Sequence, residues 1–151
     1  MNKIFIKFLV ILIFISGCGY TPIFSNKNSS FSIKEISSVG DNKLNRIINN
    51  KLNNYKGSDG EKIISLSIAT NLDREVSSKD TKGNPKTYKI MISSKILVKD
   101  TAGNINEKLF SKSVNYNNRN NKFELRKFEN ETAKNITEKI SEEIIIYLQS
   151  I

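Results

Sequence analysis

Apolar residues recur along this chain with two different periods, separated by polar breaks, and one unbroken apolar run from Phe8 to Ile15 stands apart from both. Between Phe31 and Val39 the apolar set is Phe31, Ile33, Ile36 and Val39, an imperfect alternation that predicts a strand broken by Gly40. Asp41 is placed to cap a helix, because its carboxylate can accept from the free N–H groups of a first turn. Leu44, Ile47, Ile48, Lys51, Leu52 and Tyr55 follow at helical spacing, with Asn45, Arg46, Asn49 and Asn50 opposite, until Gly57 and Gly60 make a turn. In 62–76, Ile64, Leu66, Ile68, Thr70 and Leu72 share one face and Ser65, Ser67 and Asn71 the other, the period of two that a strand imposes. In 88–99, Tyr88, Ile90, Ile92, Ile96 and Val98 oppose Lys89, Ser93, Lys95 and Lys99, and Phe110, Val114 and Tyr116 are in phase within 106–116. Asp100-Thr101-Ala102-Gly103-Asn104 is a tight turn that makes these two strands a hairpin. Asn121 with Glu124 resembles a capping box, and the helix it opens carries Leu125, Phe128, Thr132, Ile136, Ile140, Ile144, Tyr147 and Ile151 every three or four residues.

The order is strand, helix, three strands, helix. Short links make strands two to four antiparallel neighbours, and two helices with one apolar stripe each must cover a sheet face. The expected fold is α+β: a two-layer sandwich with two helices packed on one face of a mostly antiparallel four-stranded sheet, in the order β-α-β-β-β-α. Its other face presents Ser, Lys, Asn and Thr to water or to a polar partner.

Residues 77–86 separate the second and third strands. They are polar and basic, and they read as a loop longer than a hairpin needs. Lys79, Lys82 and Lys86 are the candidate ligand-binding residues on this loop, by position and charge alone.

Composition narrows the chemistry. The chain of 151 residues has no His and a single Cys. No Ser-His or Cys-His nucleophile, no His/Cys metal site and no internal disulfide can be assembled, which argues against an enzyme and against a metal or other cofactor. The formal charge is +9, and falls to +7 if Lys3 and Lys7 are removed with the first 17 residues. The last helix is nearly neutral, so the surplus lies between Gly19 and Asn121, on the sheet and its loops. Such a surplus suits an anionic membrane or ligand. The abundance of Lys, Asn and Ile throughout also fits a compositional bias of the genome.

The apolar run Phe8–Ile15 follows Lys3 and Lys7 and precedes the small residues Ser16 and Gly17. It falls short of the ~20 residues that span a bilayer as a helix, so it reads as an export signal. Export argues against a nucleic-acid partner. Ile15-Ser16-Gly17-Cys18 resembles the bacterial lipobox. That resemblance implies a diacylglycerol on the Cys18 thiol, cleavage before it and N-acylation (palmitate being such a chain) of the amino group exposed. One acyl chain binds a membrane only marginally, whereas two or three on one residue hold it stably. The organisation expected is a signal peptide over 1–17, a lipidated tether over 18–30 and a folded domain over 31–151. Gly19 after the Cys is compatible with shipment to the outer membrane.

Cys18-Gly19-Tyr20-Thr21-Pro22-Ile23-Phe24 resembles the Cys-Gly-aromatic-x-Pro-Leu-Tyr start of the lipopolysaccharide-assembly lipoproteins, the LptE family. Tyr116 at the end of the last strand, Phe123 and Ala133 in the last helix are similar too. The resemblance implies a lipid-anchored protein of the outer membrane, facing the periplasm. It would help assemble and plug the LptD β-barrel, and take part in lipopolysaccharide transport to the outer leaflet. The alternative is an auxiliary periplasmic lipoprotein of a lipid-trafficking ABC system.

Overall fold

The computed structural model describes residues 29–151. The segments expected as signal peptide and tether, with Cys18, lie outside the described residues as far as Asn28. The chain forms strand β1 (Phe31–Gly40), helix α1 (Asn42–Leu52) with a 3-10 turn (Asn53–Tyr55), strands β2 (Lys62–Lys79), β3 (Pro85–Asp100) and β4 (Ile105–Asn117), and helix α2 (Lys122–Ser150). The sheet order is β1-β2-β3-β4. β1 runs parallel to β2, and the other neighbours are antiparallel, so the sheet is mixed. A parallel pair needs a long connection, which α1 supplies.

The imperfect alternation in β1 has a structural cause. The register shifts between Ile33 and Glu35, so Phe31 and Ile33 face inward before the shift and Ile36 after it. The same shift turns Val39 outward, 65% exposed, where the sequence pattern counted it as apolar set. Gly40 then ends the strand with φ +94°, and a Cβ there would lie 2.1 Å from the Thr70 carbonyl oxygen. Asp41 caps α1 as expected, its Oδ1 accepting from the N–H groups of Lys43 and Leu44 at 2.9 and 3.0 Å. Asn121 caps α2 in the same way, through Phe123 and Glu124.

The core lies between the helices and one sheet face. Ile48, Leu52, Leu66, Ile68, Ile90, Ile92, Ile96, Ile140, Ile144 and Leu148 are fully buried, each contributing about 1.5–3 kcal/mol by leaving water. At its centre the hydroxyls of Thr70 and Ser94 pair at 3.0 Å, which satisfies both. The stripe of α2 is broader than its apolar letters: Ala133, Thr137, Ser141, Ile145 and Leu148 are buried as well. Thr137 and Ser141 spend their hydroxyls on the carbonyls one turn back. The uncovered sheet face is mostly Ser, Lys and Asn, but Ile105 and Leu109 also stand on it, 63% and 61% exposed.

Candidate functional site: the basic end of the sheet

The loop expected over 77–86 is not a loop. β2 runs to Lys79 and β3 begins at Pro85, leaving Asp80–Asn84 as the turn. The Asp80 N–H donates to the Asn84 carbonyl and the Gly83 N–H to the Asp80 carbonyl, at 2.8 and 3.0 Å. Asp80 Oδ1 accepts from the N–H of Asn84 at 2.8 Å and of Lys82 at 2.9 Å, and the Asn84 side-chain amide donates to Oδ2. These donors, the Asn84 N–H above all, hold the Asp80 carboxyl below its usual range. Asp100-Thr101-Ala102-Gly103-Asn104 repeats the two backbone bonds and both bonds from the Asn to the Asp carboxylate at the β3–β4 turn. The repeated Asp-Thr-x-Gly-Asn letters were the signal in the sequence that 77–86 is a tight hairpin.

Lys79 is therefore the last residue of β2, Lys82 lies in the turn and Lys86 is the second residue of β3. All three are exposed on one hairpin tip, and among the described residues no carboxylate lies within ion-pair distance of any of them. Two further cations join them, through Asn118. Its N–H donates to the Lys86 carbonyl at 2.9 Å and its side-chain amide to the Pro85 carbonyl at 2.8 Å. Its Oδ1 accepts from the Arg119 N–H at 2.9 Å and from Lys122 Nζ at 3.3 Å. One asparagine thus fastens the base of the hairpin to the start of α2, beside Arg119 and Lys122.

Beneath this end lies an aromatic and ionic layer. Tyr88 stacks on Tyr116, the Phe128 ring meets Tyr116 at a tilt of 51°, and the Arg119 guanidinium lies 4.4 Å from the Phe128 ring centre. Glu129, 3% exposed, accepts from the Tyr116 hydroxyl at 2.6 Å and pairs with Arg74 Nη2 at 2.9 Å. Burial first, then the hydrogen bond to Glu129 and its charge, push the Tyr116 phenol well above the usual tyrosine range. These contacts brace the end rather than offering a reactive group. What the arrangement can do chemically is hold anions: lysines as point charges and Arg119 as a planar donor. Among the described residues there is no group of three or more His, Cys, Asp or Glu placed to hold a metal, and no helix long and apolar enough to cross a membrane.

The basic end and the entry of the chain are far apart. Phe31 pairs with Lys62 at the start of β2, whereas Lys79 ends it. At ~3.3 Å per residue these two ends of β2 are on the order of 55 Å from each other.

The sequence matches no protein-family model and no curated protein. The fold does have counterparts among solved structures. Rare lipoprotein B from Shewanella oneidensis superposes with a TM-score of 0.59 at 17% identity, over 78% of this chain and 95% of that one. A minor lipoprotein from Acinetobacter baumannii gives 0.57 at 12% identity, over 78% and 91%. Lipoprotein B from Nitrosomonas europaea gives 0.55 at 9% identity, over 82% and 87%. The likeness is one of fold, and it extends over most of both chains in each case.

Proposed function

We propose that this chain is an outer-membrane lipoprotein, anchored by acyl chains on Cys18 on the periplasmic side, that helps assemble and plugs the LptD β-barrel and takes part in lipopolysaccharide transport to the outer leaflet. The observation that carries the reading is the fold shared with rare lipoprotein B, in a chain whose Cys18–Phe24 segment resembles the start of the LptE family. The rest of the geometry fits such a task. A small domain with one uncovered, largely polar sheet face suits a water-filled lumen. Lys79, Lys82 and Lys86, with Arg119 and Lys122 beside them, suit the phosphates and acidic sugars of lipopolysaccharide. The chain acts as a non-catalytic binding module and needs no cofactor beyond its own lipid.

The placement of the basic end adds a constraint. Ser29 lies eleven positions after Cys18, a reach of at most ~40 Å. That is shorter than β2, so a domain standing upright on its anchor carries its cations away from the anchoring leaflet.

A mild-detergent pull-down of the lipidated protein from outer membranes tests the reading. It should recover a large β-barrel, and recovery of an inner-membrane complex instead would favour the ABC-system alternative. Charge reversal of Lys79, Lys82 and Lys86 together should weaken lipopolysaccharide capture; unchanged capture removes the three lysines from the site.

A further inference from the structure

Five of the nine large hydrophobic side chains exposed among the described residues stand on the uncovered sheet face: Val39, Ile63, Leu97, Ile105 and Leu109. The strand register gathers them. Val39, Ala69, Lys95 and Leu109 form one row across β1 to β4, and Ser37, Ser67, Leu97 and Glu107 the next. Glu35, Ser65, Lys99 and Ile105 form the third, with Ile63 just beyond it on β2. Toward the basic hairpin the same face continues as Asn71, Ser93, Ser111 and Ser113, with no exposed large hydrophobic. A contiguous apolar patch of this kind marks a contact surface.

The relief of the patch is self-complementary. β2 contributes only Ser65, Ser67 and Ala69, which leaves a furrow. Between Val39, Ala69 and Leu97 lies a hollow of about 140 Å³ with almost wholly apolar walls. An apolar cavity of about 150 Å³ takes up benzene, so this one has room for a branched aliphatic side chain. β4, two strands and about 10 Å away, carries Ile105 and Leu109 as a ridge, 63% and 61% exposed. Furrow and ridge thus lie on either side of β3. A two-fold axis along β3 lays the ridge of each copy in the furrow of the other and keeps the rows aligned. Leu109 then comes over Ala69 of the second copy, between Val39 and Leu97, and Ile105 comes over Ser65. The contact is isologous, as a closed dimer requires. Charge favours the same occupant. In a chain of +9, the three rows carry Lys95, Lys99, Glu35 and Glu107, which cancel, and Lys95 already pairs with Glu107 at 2.7 Å. A neutral patch neither draws an anionic surface nor repels its own copy.

We propose that this half of the uncovered face is a two-fold self-association surface, on which Leu109 of each copy fills the Val39–Ala69–Leu97 hollow of the other. Four strands ~4.8 Å apart and seven residues at ~3.3 Å each give roughly 450 Å² per copy. Interfaces of that size form weak, transient pairs, and copies held in one leaflet meet at high effective concentration. The inference rests on the described domain and not on which macromolecule the protein serves.

The test uses the full chain in membranes, with the photoreactive residue benzoylphenylalanine in place of Ile105 and a second, epitope-tagged copy expressed beside it. Irradiation should give a species of twice the chain mass that carries the tag, with adducts mapped by mass spectrometry to 63–69 of the other copy. Adducts confined to a single copy or to lipid overturn the proposal. Adducts to a large β-barrel alone also overturn it while supporting the proposed function, so the two readings fail separately. Leu109→Asp places a charge at an exposed position and should lower the yield of the double-mass species about tenfold or more. Ala69→Leu fills the hollow from within and should do the same, whereas Ser113→Asp, on the same strand and face but in the polar half, should not. A yield that neither Leu109→Asp nor Ala69→Leu lowers overturns the proposal.

Discussion

The Tyr116 hydroxyl donates to Glu129 Oε1 across 2.6 Å, which ties the end of the last strand to the second turn of the last helix. Glu129 is buried and its other oxygen meets Arg74, whose side chain is 44% exposed. A buried carboxylate is tolerated only while both partners are present. Tyr116→Phe should cost about 1.5–3 kcal/mol, the range for a hydrogen bond to a charged group. Arg74→Ala should cost more, toward the lower end of ~3–5 kcal/mol because water reaches the guanidinium. Arg74→Leu combined with Glu129→Leu should be milder than Arg74→Ala alone, since no uncompensated charge is left inside. Urea unfolding of the four proteins orders them.

The same pair gives a pH dependence. In the unfolded chain the Tyr116 phenol ionises near 10.0, and burial beside Glu129 keeps it protonated in the fold well above that. Above pH 10 the unfolded state therefore holds fewer protons than the native one, and stability falls as pH rises. The contribution is complete below pH 10 and declines by up to ~1.4 kcal/mol per unit above it. Tyr116→Phe cannot show this decline. The stability gap between wild type and variant should narrow from pH 10 to 11.5, and a constant gap would show that the phenol is not shielded. Tyr55, also raised by burial, is present in both proteins and cancels.

What the letters made legible was periodicity, and what they hid was context. The alternation Ile64, Leu66, Ile68 located β2 and its inward face directly, and Asp41 and Asn121 located both helix starts. The register shift at Ile33/Glu35 was visible only as irregular spacing, because a bulge is defined by the partner strand and not by the strand that bends. Ile145 and Leu148 fall outside the stripe read from the sequence because the buried face of α2 is wider than one residue every three or four. Ile136, Ile140 and Ile144 form its centre, and the inner side includes the small and hydroxylic residues Ala133, Thr137 and Ser141. The basic end was half legible. Lys79, Lys82 and Lys86 are local in sequence, whereas Arg119 and Lys122 reach them through Asn118 and a pairing across β3 and β4. Glu129 is one of six glutamates on α2, and nothing in the local sequence marks it as the one that Tyr116 and Arg74 claim.

Gly60 and Gly57 make a matched contrast in the turn before β2. A Cβ on Gly60 would lie 2.2 Å from the Phe31 carbonyl carbon and 2.6 Å from the Ser32 N. Backbone atoms in β1 cannot yield that distance, so Gly60→Ala should prevent stable folding and leave the protein in the insoluble fraction. Gly57 has φ +67° with open space around the missing Cβ. Gly57→Asn should fold normally and lose less than about 1 kcal/mol, because Asn tolerates the left-handed region. Soluble yield and thermal melts of the two variants separate a steric requirement from a conformational one.

The two Asp-Thr-x-Gly-Asn turns test how stability is distributed along the sheet. Gly83 and Gly103 adopt φ +83° and +93°, and neither has a neighbour that a Cβ would strike. Alanine at either position therefore carries the same intrinsic penalty, about 1–2 kcal/mol for a left-handed non-glycine residue. The turns differ in what they close. Asp100 pairs with Ile64, beside the core residues Leu66 and Val98, so unfolding this turn disturbs buried structure. Asp73–Lys79 of β2 are exposed throughout, so the Asp80–Asn84 tip can open without disturbing the core. Gly103→Ala should lower the global unfolding free energy by about the full 1–2 kcal/mol. Gly83→Ala should leave the urea midpoint nearly unchanged while accelerating amide exchange at Ser78 and Thr87. If both substitutions shift the midpoint equally, the hairpin tip is as cooperative as the rest of the sheet, and the basic residues on it are held as rigidly as the core.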